Sequence, residues 1–270
     1  MLIRTFFHKK GSTPLIINRL ATRHVKVRVY FSPNTLDEID LRDKTIVVID
    51  LLRASTTITY AMNAGAREVI PVSSVDQAMK IVGNLFSTST ILCGERGGKR
   101  IEGFKLGNSP SEYTKEAVEG KALILTTTNG AVALTKAKHA RHCFIGSLVN
   151  LSAVVRALSE LKDLEQTGLV IICSGREDDF SLEDAVCAGL ILTKLAEKIP
   201  NLELTDSART VLSVFREYGH DIYGTLMQSE HGKYLASIGF SDDIKTASEI
   251  DSVPIVPVLE QTVIKKKLSF

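Results

Sequence analysis

Asp50 closes the apolar run Thr45-Ile46-Val47-Val48-Ile49 and is followed closely by Arg53, Ser55, Thr56 and Thr57. An acid at the carboxyl end of a buried strand, with hydroxyls opening the next helix, stands where open α/β sheets place their ligands. Helix N-terminal amides bind phosphate, and an arginine adds a bidentate donor. Read singly, Ser55 is a helix cap and Asp50 a turn residue. Read together, the five residues describe an anion site with a carboxylate beside it.

A second cluster runs from Cys93 to Glu112. It holds Gly94, Gly97, Gly98, Gly103 and Gly107, interleaved with Glu95, Arg96, Lys99, Arg100 and Glu102. So polar a stretch cannot supply a core. Its spacing predicts a long glycine-rich loop whose main chain a ligand can approach. Ser109-Pro110-Ser111-Glu112 reads as the helix start that ends it, with Ser as cap, Pro at the first helical position and Glu three residues after the cap.

Three further groups carry chemistry. Thr127-Thr128-Asn129-Gly130 lies at a strand-to-helix junction and is a second anion-binding candidate, although a cap by Thr128 or Asn129 would also account for it. Glu177, Asp178, Asp179, Glu183 and Asp184 crowd another such junction. Hard oxygen ligands of that kind hold Mg²⁺, while acids in a first helical turn also suit the helix dipole. His231-Gly232-Lys233 sits in a polar break.

The elements that must position these groups alternate along the chain. Val25, Val27, Val29 and Phe31 alternate with Lys26, Arg28 and Tyr30, which predicts a half-buried strand. Thr45–Ile49 is continuous enough for a central strand covered on both faces. Strands are then expected at 68–72, 90–93, 122–126, 143–145 and 169–173. Helices are expected from Ser55 to about Ala64, Ser74 to about Phe86, Ser109 onward, Ala131–Ala137, Asn150–Leu161 and Ser181–Lys198. From Asp206 the chain reads as mainly helical. Val253–Leu259 is expected to return as a last strand and Lys265-Lys266-Lys267 to be a solvated tail. The fold class is α/β.

Composition bounds the function. With 44% hydrophobic residues the 270-residue chain can bury a sizeable core. No apolar run approaches the ~20 residues that span a bilayer. Of 33 Lys and Arg and 31 Asp and Glu, seven bases and no acid lie in residues 1–36, so the remainder is slightly acidic. That argues against a nucleic-acid binder. Residues 1–24 lack the pattern of a secretory signal and are expected to be an extension before a single domain at 25–270. Cys93, Cys143, Cys173 and Cys187 show no Cys-x-x-Cys spacing, which fits buried thiols in a reducing cytosol. Cys93 is no Cys-x5-Arg nucleophile, because Lys99 stands where the arginine is needed.

Five motifs in order resemble the 2-phosphosulfolactate phosphatase family over roughly residues 25–260. They are Val48-Ile49-Asp50-Leu51-Leu52-Arg53-Ala54-Ser55-Thr56-Thr57; Cys93-Gly94-Glu95-Arg96-Gly97-Gly98 with Gly103-Phe104 and Leu106-Gly107-Asn108-Ser109-Pro110; Thr127-Thr128-Asn129-Gly130; Ser181-Leu182-Glu183-Asp184; and His231-Gly232-Lys233 with Gly239-Phe240. The resemblance implies a three-layer α/β/α fold with a mixed sheet. It also implies a Mg²⁺-dependent phosphatase converting (2R)-2-phospho-3-sulfolactate to (2R)-3-sulfolactate and phosphate, a step toward coenzyme M in methanogens. The family's members begin near the equivalent of Val25, in keeping with an extension at 1–24.

Roles follow from what phosphomonoester hydrolysis needs, a clamp for the phosphoryl oxygens and a placed nucleophile. Asp50 is expected as Mg²⁺ ligand or nucleophile, with Glu95 and Glu183 or Asp184 completing the oxygen shell. Arg53, Ser55, Thr56 and the turn Thr128, Asn129, Gly130 are expected to cradle phosphate. Arg96, Gly97 and Gly98 would take the sulfonate or carboxylate, and Asn108 joins the substrate-binding set. His231 could protonate the leaving alkoxide. The substrate is thus a small anionic phosphorylated sulfonate, the location cytoplasmic without nucleic-acid or membrane partners, and a homodimer is left open. Leu52 occupies the place of the second acid of an Asp-x-Asp phosphatase motif, and no Walker-type loop occurs. The rival readings are a metal-dependent phosphatase for another phosphorylated 2-hydroxy acid and a non-catalytic anion-binding module on the same scaffold.

Overall fold

The computed structural model describes residues 24–84, 89–177 and 179–267. Residues 1–23, Phe86 and Asp178, which carry expectations above, lie outside the described residues. Within them the strands are β1 (Val25–Tyr30), β2 (Thr45–Ile49), β3 (Glu68–Val72), β4 (Thr90–Arg96), β5 (Lys99–Arg100), β6 (Ala122–Thr126), β7 (His142–Gly146), β8 (Leu169–Cys173), β9 (Leu202–Leu204), β10 (Pro257–Glu260) and β11 (Val263–Lys266). The helices are α1 (Glu38–Leu41), α2 (Ala54–Asn63), α3 (Val75–Asn84), α4 (Lys115–Val118), α5 (Gly130–Lys136), α6 (Leu151–Glu160), α7 (Leu164–Thr167), α8 (Leu182–Lys198), α9 (Asp206–Tyr218), α10 (Ile222–Gln228), α11 (Glu230–Ser237) and α12 (Ser241–Ser248).

The strands form one mixed sheet in the order β5-β4-β6-β3-β11-β10-β7-β2-β8-β1-β9. It contains two parallel blocks, β4-β6-β3 and β7-β2-β8-β1-β9, joined by the antiparallel hairpin β10–β11. The hairpin meets each block through a single residue pair, Val258 opposite Phe144 and Ile264 opposite Val69. β11 takes in Lys265 and Lys266, which the sequence placed in a solvated tail. Their side chains are exposed, but their backbone belongs to the sheet.

Period-two alternation explains the three layers. On β2, Val47 and Ile49 enter a core with α6, α8 and α9, while Ile46 and Val48 enter a second core with α2 and α5 on the other face. Leu169, Ile171 and Cys173 of β8 follow the first face, Val170 and Ile172 the second. A strand buried on both sides must be apolar or have its polar groups paired, as in β8 and in β2, where the one polar side chain, Thr45, bonds the Thr167 hydroxyl at 2.7 Å.

Two local expectations are corrected. The glycine-rich stretch after Cys93 is not a structureless loop. β4 continues to Arg96 and pairs antiparallel with β5, and Gly97 and Gly98 form the turn at φ 53° and 73°. Two-residue hairpin turns favour positive φ at both central residues, so this turn chemistry requires the glycine pair. The helix expected from Ser109 is one 3₁₀ turn, Pro110–Glu112, before α4. The Ser109 hydroxyl does not cap it; it donates to Asp243 Oδ1 at 2.6 Å. The Glu112 carboxylate instead accepts from Gly107 N–H.

All four cysteines are buried and unpaired. Burial pushes the thiols of Cys93 and Cys143 up to about 12, and those of Cys173 and Cys187 well above their usual value. Because the thiolate is the reactive form, the native protein should show no measurable reaction with a disulfide reagent at pH 8. All four thiols should react once guanidinium unfolds it. A fast-reacting thiol in the native state would contradict this packing.

Candidate active site

The loops that follow β2, β4, β6 and β8 meet α11 around a cleft of about 340 Å³. Asp50, Glu95, Thr128, Arg176, His231 and Tyr234 line it, so residues far apart in sequence share one wall.

Asp50 follows the last residue of β2. Its Oδ1 accepts from Ala54 N–H at 3.1 Å, and its own N–H donates to Ser55 Oγ at 2.8 Å. The short β2–α2 turn therefore fixes the carboxylate, and Oδ2 is the oxygen that turn leaves unused. Burial raises the Asp50 carboxyl to about 6; Glu95 and Glu183 push the same way, while His231 and the Ala54 amide pull it back. Ser55 and Thr56 do not line the cleft. Ser55 Oγ serves Asp50 N–H and Val48 O, and Thr56 Oγ1 bonds Leu51 O and Ser147 Oγ. They build the turn instead of cradling phosphate.

Glu95 ends the buried part of β4. Its Oε1 accepts from both the N–H and the hydroxyl of Thr128 at 2.9 Å, and its Oε2 from Gly98 N–H at 2.8 Å. Thus the Thr128 and Gly98 amides, expected to face the substrate, turn inward to the carboxylate. Arg96 stays at the cleft and is held by two main-chain carbonyls, Glu95 O and Ser73 O, both at 3.1 Å. Thr127, the first residue of the Thr127-Thr128-Asn129-Gly130 anion-binding candidate, accepts through Oγ1 from Ala131 N–H at the start of α5. Asn129 lines the cleft without a capping bond. Asn108 also lines it, only 4% exposed, and its Oδ1 has no hydrogen-bond partner. A buried carbonyl oxygen left over by the protein is a ready acceptor for a ligand hydroxyl or water.

Gly130 stands against Asp50. A Cβ there would lie 2.6 Å from Asp50 Oδ2 and 3.0 Å from Ala54 Cβ. Alanine normally favours a helix over glycine by up to ~1 kcal/mol, yet here it would push the carboxylate aside. Gly130→Ala should keep its melting temperature within a few degrees and lose at least about tenfold in kcat. Full activity in that variant would show that Oδ2 has room to move without consequence.

Arg53 is placed differently from its expected role as a free phosphate clamp. It is 3% exposed; Nη1 meets Asp243 Oδ2 at 2.6 Å, Nη2 donates to Gly98 O, and the guanidinium lies 4.2 Å from the Phe240 ring centroid. Asp243 also receives the Ser109 hydroxyl. One buried carboxylate on α12 thereby ties together the β2 turn and the chain before α4, and through Arg53 the β4–β5 hairpin. Sequence reasoning missed it, because Asp242 and Asp243 look like ordinary first-turn acids of a surface helix.

Glu183 and Asp184, both 2% exposed, diverge. Asp184 Oδ1 accepts from Leu51 N–H at 2.8 Å and Oδ2 from Gly175 N–H at 3.2 Å, which braces the β2 loop against the β8 loop. Burial and the nearby charges of Glu183 and Asp50 hold its carboxyl well above the usual range. Glu183 Oε1 lies 3.5 Å from His231 Nδ1. Burial acts to raise its carboxyl, but the bond and charge of His231 outweigh it and leave Glu183 below its usual value. With Nδ1 turned to Glu183, Nε2 is the ring nitrogen left for a ligand.

The expected shell of Asp50, Glu95 and either Glu183 or Asp184 is therefore not assembled. Among the described residues no three His, Cys, Asp or Glu side chains are grouped to hold a metal ion. The donor set that fits is smaller. Mg²⁺ commonly uses one or two carboxylates, with waters and substrate phosphate for the rest. Asp50 Oδ2 and the second lone pair of Glu95 Oε2 supply two such oxygens on one cleft.

Comparison with known proteins gives a concordant result. Residues 30–262 match the family model described as 2-phosphosulpholactate phosphatase. A protein of Caldanaerobacter subterraneus subsp. tengcongensis is 37% identical over 244 residues, 90% of this chain and 99% of its own length. Relatives in Clostridium acetobutylicum and Clostridium novyi are 38% and 40% identical over 233 residues, 86% of this chain and 97% and 96% of theirs. Each of the three is named probable 2-phosphosulfolactate phosphatase.

Proposed function

The chain belongs to the 2-phosphosulpholactate phosphatase family, and from that premise we propose that it hydrolyses (2R)-2-phospho-3-sulfolactate to (2R)-3-sulfolactate and phosphate with the help of Mg²⁺. The observation that carries the reading is the meeting of Asp50, Glu95 and the Glu183-held His231 at one cleft with Arg96 and Arg176. A plain anion binder has no use for carboxylates beside its ligand, since they repel it. A phosphatase needs them for attack and for a cation.

In this proposal the attack on phosphorus comes from the Asp50 side, by a water that Oδ2 deprotonates or by Oδ2 itself, whose aspartyl phosphate a water then hydrolyses to release phosphate and restore the carboxylate. His231 Nε2 gives its proton to the departing alkoxide, and Glu183 holds Nδ1 so that the ring presents that nitrogen. Arg96 and Asn108 bind and orient the substrate. Asp184 and Arg53 position the loops rather than touch it. Asp50 and Glu95 would hold Mg²⁺, which supplies charge neutralisation at the phosphoryl oxygens. No helix of the described residues is long and apolar enough to cross a membrane, and the four free thiols suit a cytoplasmic setting.

Phosphate release from 2-phosphosulfolactate, with Mg²⁺ and with a chelator, is the direct test, beside phosphoglycolate and 2-phospholactate. The expected result is Mg²⁺-dependent turnover that favours the sulfonated compound. Turnover of the comparators alone would keep the phosphatase and discard its substrate. Undiminished rates in chelator would remove the metal, and no release from any of them would sink the catalytic reading.

A further inference from the structure

We propose that Arg176, held over the Tyr234 ring, selects the sulfonate arm of the substrate; this rests on the phosphatase reading and adds the residue that separates a sulfonated phospho-acid from an unsulfonated one. Three arginines line the cleft. Arg53 spends its charge on buried Asp243. Arg96 is anchored to the main chain on the hairpin that also carries Glu95. The remaining one, Arg176, follows β8 and has, among the described residues, only Glu177 as an ionic neighbour, at 3.6 Å, and the Glu177 side chain is 79% exposed. An ion pair so open to water neutralises little.

The Arg176 guanidinium is nonetheless held in place. It lies 5.2 Å from the Tyr234 ring centroid, and the Tyr234 hydroxyl donates to Gly97 O at 2.8 Å, which fixes the ring. A guanidinium held over a ring by cation–π attraction does not use its N–H groups on that ring, so they stay available to an oxyanion.

Its position matches the geometry of the substrate. The phosphate ester must lie near Asp50, His231 and the Glu95 hairpin, and the carboxylate is on the carbon that bears it. The sulfonate sits on the next carbon and extends away. Arg176 lines both the cleft and the adjoining cavity beside Glu183, and so stands at the edge where the two meet. That edge is where the outlying anion arrives.

The test compares 2-phosphosulfolactate with 2-phospholactate, which lacks only the sulfonate. In Arg176→Met the ratio of kcat/KM for the first over the second should fall by about 10- to 100-fold, the range of a charge-assisted hydrogen bond, with the loss mainly in KM. Arg176→Lys, which keeps the charge but not the fork, should recover part of the ratio. An unchanged ratio, whether both rates fall together or neither does, overturns the proposal. Calorimetric binding of 3-sulfolactate and of lactate gives a readout independent of turnover. If the wild type binds both but hydrolyses nothing, the phosphatase reading fails alone. If it binds 3-sulfolactate no tighter than lactate, or if Arg176→Met keeps the preference, the subsite fails whatever the catalytic result.

Discussion

Asp50→Asn should release phosphate at least ~10³-fold more slowly than the wild type while melting at a higher temperature in chelator. The two effects share one cause. Asn keeps an Oδ1 for Ala54 N–H, so the β2–α2 turn is preserved. It loses the charge that attack or metal binding requires. Burial holds the native Asp50 carboxyl at about 6 against a usual 3.8, with Glu95 and Glu183 adding to the rise. A folded-state value above the unfolded one means that ionised Asp50 opposes folding at neutral pH, and that the opposition fades as pH falls from about 6 toward 3.8. A neutral amide removes it at every pH, so the gain in melting temperature should be present at pH 7.5 and shrink toward pH 4. Phosphate assays and thermal melts at several pH values check both halves. An active Asn variant would move the chemistry elsewhere, and a less stable one would show that the carboxylate is better solvated than its burial indicates.

Asp243→Ala should cost about 3–5 kcal/mol of folding stability, the penalty for leaving a buried charge without its partner. Arg53 is only 3% exposed, and would retain only Gly98 O and the Phe240 ring. Ser109 would lose its acceptor as well. Asp243→Asn, which keeps an oxygen for Ser109, should lose less. Combining Asp243→Ala with Arg53→Met removes both charges and should recover much of the loss, which isolates the ion pair from the packing of α12. Urea unfolding of the four proteins measures this. A single Ala variant within ~1 kcal/mol of wild type would mean that the guanidinium finds solvent after all.

The strands were legible because their signals are local. β2, β6 and β8 are buried on both faces and so are apolar apart from Thr45 and Thr126 at strand ends, and β1 alternates because it is not. Less was legible where a short segment depends on a distant partner. β5 and β11 carry exposed basic residues and exist only because β4, β3 and β10 offer them edges. The helix start at Ser109 looked complete in sequence, but its hydroxyl is taken by Asp243, 134 residues away.

The sequence by itself determined the α/β class, the order of the motifs, and the identity of Asp50, Glu95, Arg53, Arg96 and His231 among the groups that line the cleft, though not of Arg176, because residue type and strand-end position set what a group can do. Tertiary structure alone decided which role each group takes. Glu183 and Asp184 are adjacent in the chain, yet one faces His231 and the other binds the amides of Leu51 and Gly175. Arg53 and Arg176 have the same chemistry in isolation, yet one is neutralised by α12 and the other stands open on Tyr234. A side chain's free hydrogen-bonding capacity is what remains after its neighbours are satisfied, and those neighbours are supplied by the fold.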